Sequence, residues 1–265
     1  MARCIHCLRF TERPEKDHVF PDSWYPTSTP PTIQRWTAPS SPDCNRTFGQ
    51  LEHDLLIRLV LSLDTSSDAA RGLDERVYRS LGIDVEDSNK DKVIRDQLRA
   101  KLRSEFFPPE EVQDLPGKIP GLGPPPGQPP GPSVFIPWAG LSMMAEKIAR
   151  GCEYRFQNKK RYVEHPYGVL TLSPNADELS NDPMLRFTKL IDFGPGCQVR
   201  RGFASEDPAI VRYFITIWGA LHFKVLIDFQ EYLDDLMKQL PKPGGVLPPI
   251  NRAMQVPAYL RRYNQ

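Results

Sequence analysis

The sequence predicts an α+β protein in two parts, and three observations carry that prediction. An apolar repeat at helical spacing, Phe48, Leu51, Leu55, Leu59 and Leu63, follows a segment too rich in Pro, Ser and Thr to be helical itself. A Pro- and Gly-rich run centred on 124–132 then interrupts the chain. Beyond it, β-branched and aromatic patches bounded by Gly, Pro or Asn recur, which is how strands read. At 265 residues the chain is long enough to bury a substantial core.

Taken in order, 22–42 predicts loops and short strands. The first helix becomes credible at Asn45, which falls in its first turn, with Arg46, Gln50 and Asp54 away from the apolar stripe. Two more helices are predicted, over 74–81 and 91–105, the latter carrying Val93, Leu98 and Leu102 among Lys and Arg. They brace a first unit at 1–107. The segment 108–137 is short of backbone donors and apolar side chains and reads as an extended polyproline-like spacer. In the remaining unit, 138–265, a helix over 141–150 ends at Gly151, a residue suited to a left-handed stop. Strands are predicted over 168–172, 198–201, 213–218 and 222–227, the last two joined as a hairpin through Gly219 and Ala220. A helix at 230–240 stops before Pro241, and 241–265 is a basic extension with no acidic residue.

Charge and cysteine usage narrow the function. With 34 basic and 33 acidic residues, any grip on nucleic acid must come from local patches. In the second unit the candidates are Lys159, Lys160 and Arg161, with Arg200 and Arg201, against the plainer reading of a solvated charged turn. The most hydrophobic stretches are interrupted by Arg58, His222 and Lys224, so no membrane-spanning helix is expected. The N-terminus lacks an apolar run after its charge, and a cytoplasmic location is the expectation. Five cysteines, three of them near the N-terminus, suit metal thiolates better than a disulfide framework. Cys152 and Cys197 read as ordinary buried thiols.

The chemistry concentrates at the N-terminus. Cys4-x2-Cys7 is followed by Lys16-Asp17-His18-Val19-Phe20-Pro21 and then by Asp43-Cys44-Asn45-Arg46-Thr47-Phe48-Gly49. Asp17 offers a hard oxygen ligand to a divalent cation, His18 beside it can deprotonate a water, and Asn45 can supply a neutral oxygen ligand. Those are the parts that metal-dependent phosphodiester hydrolysis needs.

Over residues 3–63 this segment resembles the HNH endonucleases, whose Asp/Glu-His-hydrophobe-x-Pro pattern is matched by Asp17 to Pro21. The resemblance implies a ββα-metal module in which one Mg²⁺ or Mn²⁺ is held against the phosphate of DNA. Asp17 would be the metal carboxylate, His18 the general base and Asn45 the ligand at the start of the helix. Arg46, and more weakly Arg35, would contact phosphate. Cys4, Cys7 and Cys44 would hold a structural Zn²⁺. Two features depart from the family pattern. Ser41 stands where a fourth Cys would complete the second knuckle, and no Asn lies between His18 and Cys44 to orient the imidazole, leaving Gln34 or a backbone carbonyl near Trp36 or Thr37. Those departures keep open a competing reading, a non-catalytic zinc-ribbon-like module that binds nucleic acid or protein. Glu52 and His53 are weaker ligand candidates. Trp24 and Trp36 read as packing residues, and His165 and His222 as structural.

Overall fold

Short antiparallel strand pairs organise the N-terminal segment of the computed structural model, which describes residues 1–82, 89–107, 133–156, 168–172, 189–203 and 211–227. Most of the predicted spacer, Lys159, Lys160, Arg161 and His165, and everything after Ile227 lie outside the described residues. Strand β1 (Ala2–Arg3) pairs with β2 (Phe10–Thr11), and the loop between them carries Cys4 and Cys7. Strand β3 (Glu15–His18) pairs with β4 (Thr37–Ser40), setting Asp17 opposite Ala38 and His18 opposite Thr37. A single 3-10 turn, Asp22–Trp24, lies in the connection.

From β4 the chain enters α1 (Pro42–Val60) at once. Ser41 caps it by accepting the Cys44 N–H at 3.3 Å, Pro42 supplies a helical φ without a donor, and Asp43 lies at the positive end of the helix dipole. The helix therefore starts ahead of Asn45, whose N–H donates to the Ser41 carbonyl at 2.9 Å in the first turn. It ends before Leu63, which packs on the core from the following loop. Asp54, read as lying off the buried stripe, is itself buried. Arg58 neutralises it at 2.9 Å, and Lys101 adds a second cation.

Helices α2 (Leu73–Leu81) and α3 (Asn89–Arg103) form where expected, α2 running between Gly72 and Gly82, both at positive φ. Strands β5 (Phe106–Phe107) and β6 (Ser133–Val134) pair with each other and lead into α4 (Trp138–Phe156). This helix runs straight through Gly151 instead of ending there. The reason is tertiary: a Cβ at 151 would lie 2.5 Å from Val19 Cγ2, so the glycine lets α4 approach the end of β3.

The remaining strands are β7 (Gly168–Leu172), β8 (Lys189–Asp192), β9 (Cys197–Phe203), β10 (Val211–Ile217) and β11 (Leu221–Ile227). They form one antiparallel sheet in the order β7-β11-β10-β9-β8. The predicted hairpin is β10–β11, turning at Trp218 (φ 52) and Gly219 (φ 68). Strand β8 was not foreseen. Under the sheet, Glu153 of α4 binds Arg201 of β9 through two contacts, at 2.9 and 3.1 Å, and also accepts from the Tyr213 hydroxyl. Arg201 is thus a buried structural ion pair and not a phosphate contact, whereas Arg200 beside it is exposed.

The buried hydrophobic residues form one continuous cluster from Ile5, Trp24 and Leu55 through Met144 and Ile148 of α4 to Phe223 and Val225. Trp218 closes it, donating its indole N–H to the Trp24 carbonyl at 2.9 Å. Trp24 is accordingly a packing residue, as its context predicted. No helix among the described residues is long and apolar enough to cross a membrane.

Candidate functional site

The loop after β1 is a tight knuckle. Leu8 donates to the Cys4 carbonyl at 3.0 Å and Cys4 to the Arg9 carbonyl at 2.9 Å, while the His6 N–H points at Cys4 Sγ, 3.4 Å away. The first turn of α1 brings Cys44 against it, so that the three sulfurs of Cys4, Cys7 and Cys44 lie within 4.8 Å of one another. A tetrahedral zinc with bonds of about 2.3 Å would want its sulfurs roughly 3.8 Å apart, so the cluster could hold such an ion after a small contraction. Ser41 Oγ lies 3.8 Å from Cys7 Sγ, near where a fourth ligand belongs. Hydrogen bonding from Cys44, supported by backbone N–H groups, pushes the Cys4 thiol down to about 3, and the same contact pushes Cys44 up.

His6 sits inside the knuckle but faces away from the sulfurs. Its Nε2 lies 2.8 Å from Asp17 Oδ2, its ring packs on Phe48, and its buried Nδ1 has no hydrogen-bond partner. Burial outweighs the pull of Asp17 and lowers the imidazole pKa, so His6 is neutral. It links the cysteine cluster to the second feature.

That feature is a cavity of about 510 Å³ bounded by β3, the 3-10 turn, α1 and α2, and lined by Asp17, His18, Asn45, Glu52, Lys16, Asp22, Ser23, Arg35 and Arg76. Asp17 and His18, neighbours on β3, and Asn45, from the first turn of α1, thus all line one cavity. His18 is half-buried, and burial holds its imidazole below the ordinary histidine range despite Asp22 nearby. Asp22 Oδ1 stands 3.6 Å from Nδ1, an electrostatic contact longer than a hydrogen bond, and also pairs with Arg35. Asp22 is thus the carboxylate facing Nδ1, an electrostatic neighbour that orients the imidazole without hydrogen-bonding to it. Neither substitute suggested by the sequence does this. The Gln34 side chain accepts from the Trp36 indole at 3.1 Å, and the Trp36 carbonyl takes the Val19 N–H at 2.9 Å.

Asn45 donates its amide to Glu15 at 2.7 Å, fixing the side chain at the cavity edge. Asp17 is more heavily engaged. Oδ1 accepts from the Lys147 ammonium of α4 at 2.6 Å and Oδ2 meets His6, while Lys147 also binds Glu52. Burial alone would raise the Asp17 carboxyl, but the His6 hydrogen bond and the Lys147 charge outweigh it and hold the acid below its usual range. At Glu52 the balance goes the other way, burial winning over Lys147 and leaving that carboxyl high. Both carboxylate oxygens thus already have a partner, and a divalent cation on Asp17 would stand against the Lys147 ammonium.

The other expected residues are scattered. Arg35 lines the cavity, but Arg46 is exposed, pairs with Asp43 at 3.6 Å and takes no part in the lining. His53 is exposed on α1, the solvated reading of that residue. Thr216 Oγ1 and His222 Nδ1 are 3.2 Å apart within the sheet, a structural pairing. The lining residues Asp22, Ser23 and Arg76 were missed from sequence, as was Lys147, which binds Asp17 and Glu52 behind the lining. Only Lys147 left a trace there, a lone cation among Met144, Ala145, Ile148 and Ala149 on the buried stripe of a helix. No family model, curated protein or solved structure matches the chain.

Proposed function

We propose that this chain is an HNH-type endonuclease that hydrolyses DNA phosphodiester bonds at the cavity beside His18. The observation that carries the reading is that Asp17, His18 and Asn45 all line one cavity at the junction of an antiparallel strand pair and the helix that follows it. Neutral His18 takes a proton at Nε2 from a water as that water attacks phosphorus, and the P–O3′ bond breaks on the opposite side with the departing 3′-oxygen protonated by solvent water. Asp22 beside Nδ1 stabilises the imidazolium until it returns its proton to solvent. Lys16, Arg35 and Arg76 line the same cavity and supply positive charge for the non-bridging oxygens as charge builds in the transition state. The cysteine cluster, loaded with Zn²⁺, ties the knuckle to the start of α1 and so holds Asn45 in place. In the family this site resembles, Mg²⁺ or Mn²⁺ supplies Lewis-acid help at the phosphate. With Asp17 bound to His6 and Lys147, the proton transfer and charge stabilisation fall to His18, Asp22 and the cavity's cations.

Replacing His18 by Ala tests the reading. Plasmid cleavage should fall by about 10²-fold or more, the scale of a general base, while the circular dichroism spectrum stays that of the wild type. Undiminished cleavage by the variant, in a preparation free of host nuclease, would remove His18 from the chemistry. The binding-module reading wins if the wild-type chain retains zinc yet cuts nothing in Mg²⁺, Mn²⁺ or Zn²⁺.

A further inference from the structure

We infer that Lys147 is a resident cation of this site: its ammonium closes the Asp17–Glu52 pair and keeps divalent metal ions off Asp17. Lys147 is 1% exposed and lies 130 residues from Asp17 in sequence, yet Nζ sits 2.6 Å from Asp17 Oδ1 and also binds Glu52. Two carboxylates drawn to one point in a buried setting repel unless a cation stands between them, and here the cation is covalently part of the chain. An inner-sphere Mg²⁺ or Mn²⁺ on Asp17 would need an oxygen at about 2.1 Å, which places a double positive charge against the ammonium on the same carboxylate. Metal entry therefore requires the ammonium to leave.

The backbone that carries Lys147 is held from two sides. Gly151, one turn further along α4, is packed so closely on Val19 that a Cβ there would approach to 2.5 Å. Arg150 donates to the His6 carbonyl at 2.6 Å, fastening the same turn to the cysteine knuckle. Since His6 holds the other Asp17 oxygen, both sides of the carboxylate are fixed by groups tied to α4 and the knuckle. Lys147 is thus a positioning residue for Asp17, in the place where the HNH resemblance would put a metal ion. This rests on the nuclease reading only for what the exclusion means in catalysis.

The test is a Mn²⁺ titration of the full, zinc-loaded chain, followed by the electron paramagnetic resonance signal of free Mn²⁺. Wild type and Asp17→Asn should give the same binding curve. Lys147→Met should gain a site at least tenfold tighter, which the Asp17→Asn/Lys147→Met double variant lacks. The inference is overturned if wild type binds one Mn²⁺ that Asp17→Asn loses, or if folded Lys147→Met gains no Asp17-dependent site. Should Lys147→Met not fold, Lys147→Gln keeps a polar donor in the same space and is held to the same criterion. Plasmid cleavage is scored separately. A nuclease whose wild-type form takes Mn²⁺ on Asp17 sinks this inference and leaves the proposed function standing, whereas a silent protein with no such site does the reverse.

Discussion

Ser41 carries two roles at one position. Its hydroxyl caps α1 through the Cys44 N–H, and the same oxygen lies 3.8 Å from Cys7 Sγ at the edge of the cysteine cluster. Ser41→Cys should weaken the cap by about 1 kcal/mol in the metal-free protein, because sulfur is a poorer acceptor. In the zinc-loaded protein it should tighten the metal at least ~10-fold by completing a four-thiolate set, measured by competition with a chromophoric chelator. An unchanged affinity would show that the 41 side chain stays outside the coordination sphere. Cys4 and Cys7 were legible in the sequence as a closely spaced pair, whereas Cys44, far along the chain, was joined to them only through the HNH resemblance. The partners of Asp17 and His18 were not legible. Asp22 lies one turn from His18 without any motif to mark it, and Lys147 reaches Asp17 only because a distant helix packs there.

Among the elements, α4 shows how one residue type can carry opposite meanings. Gly151 reads as a helix stop in isolation, yet it lies inside α4 because Val19 occupies the space a side chain would need. Gly49, inside α1, has nothing within 4 Å of where its Cβ would be. The same substitution should therefore have opposite signs. Gly49→Ala should raise unfolding stability by about 0.5–1 kcal/mol through helix propensity. Gly151→Ala should lower it by about 1–2 kcal/mol, the overpacking cost exceeding that gain. Urea denaturation of both variants measures this, and a stabilised Gly151→Ala would disprove the close approach of α4 to β3. Helical spacing of apolar residues found α1 and α3, and β-branched and aromatic runs flanking Gly219 and Ala220 found the β10–β11 hairpin. Local pattern misjudged the extent of α4 and the face of Asp54 because tertiary partners, Val19 in one case and Arg58 in the other, reverse what it implies.

At the level of the whole molecule, the helix that follows the Pro- and Gly-rich stretch packs on the strands that precede it, and the five-stranded sheet leans on the N-terminal segment through Trp218 and Trp24. A shared core of this kind predicts one cooperative transition for the described elements. Helix loss by circular dichroism and zinc release to a chromophoric chelator should share a midpoint in urea. Trp218→Ala should move both midpoints down together, by about 3–5 kcal/mol of stability. Zinc release at a lower urea concentration than helix loss would mean that the N-terminal segment melts by itself.

The imidazole of His6 lies between two thiol ligands in the chain and touches the acid at the cavity wall. The His6 ring is held by Asp17 and Phe48 while its backbone belongs to the knuckle, so the carriage of that loop and the posture of the carboxylate are set together.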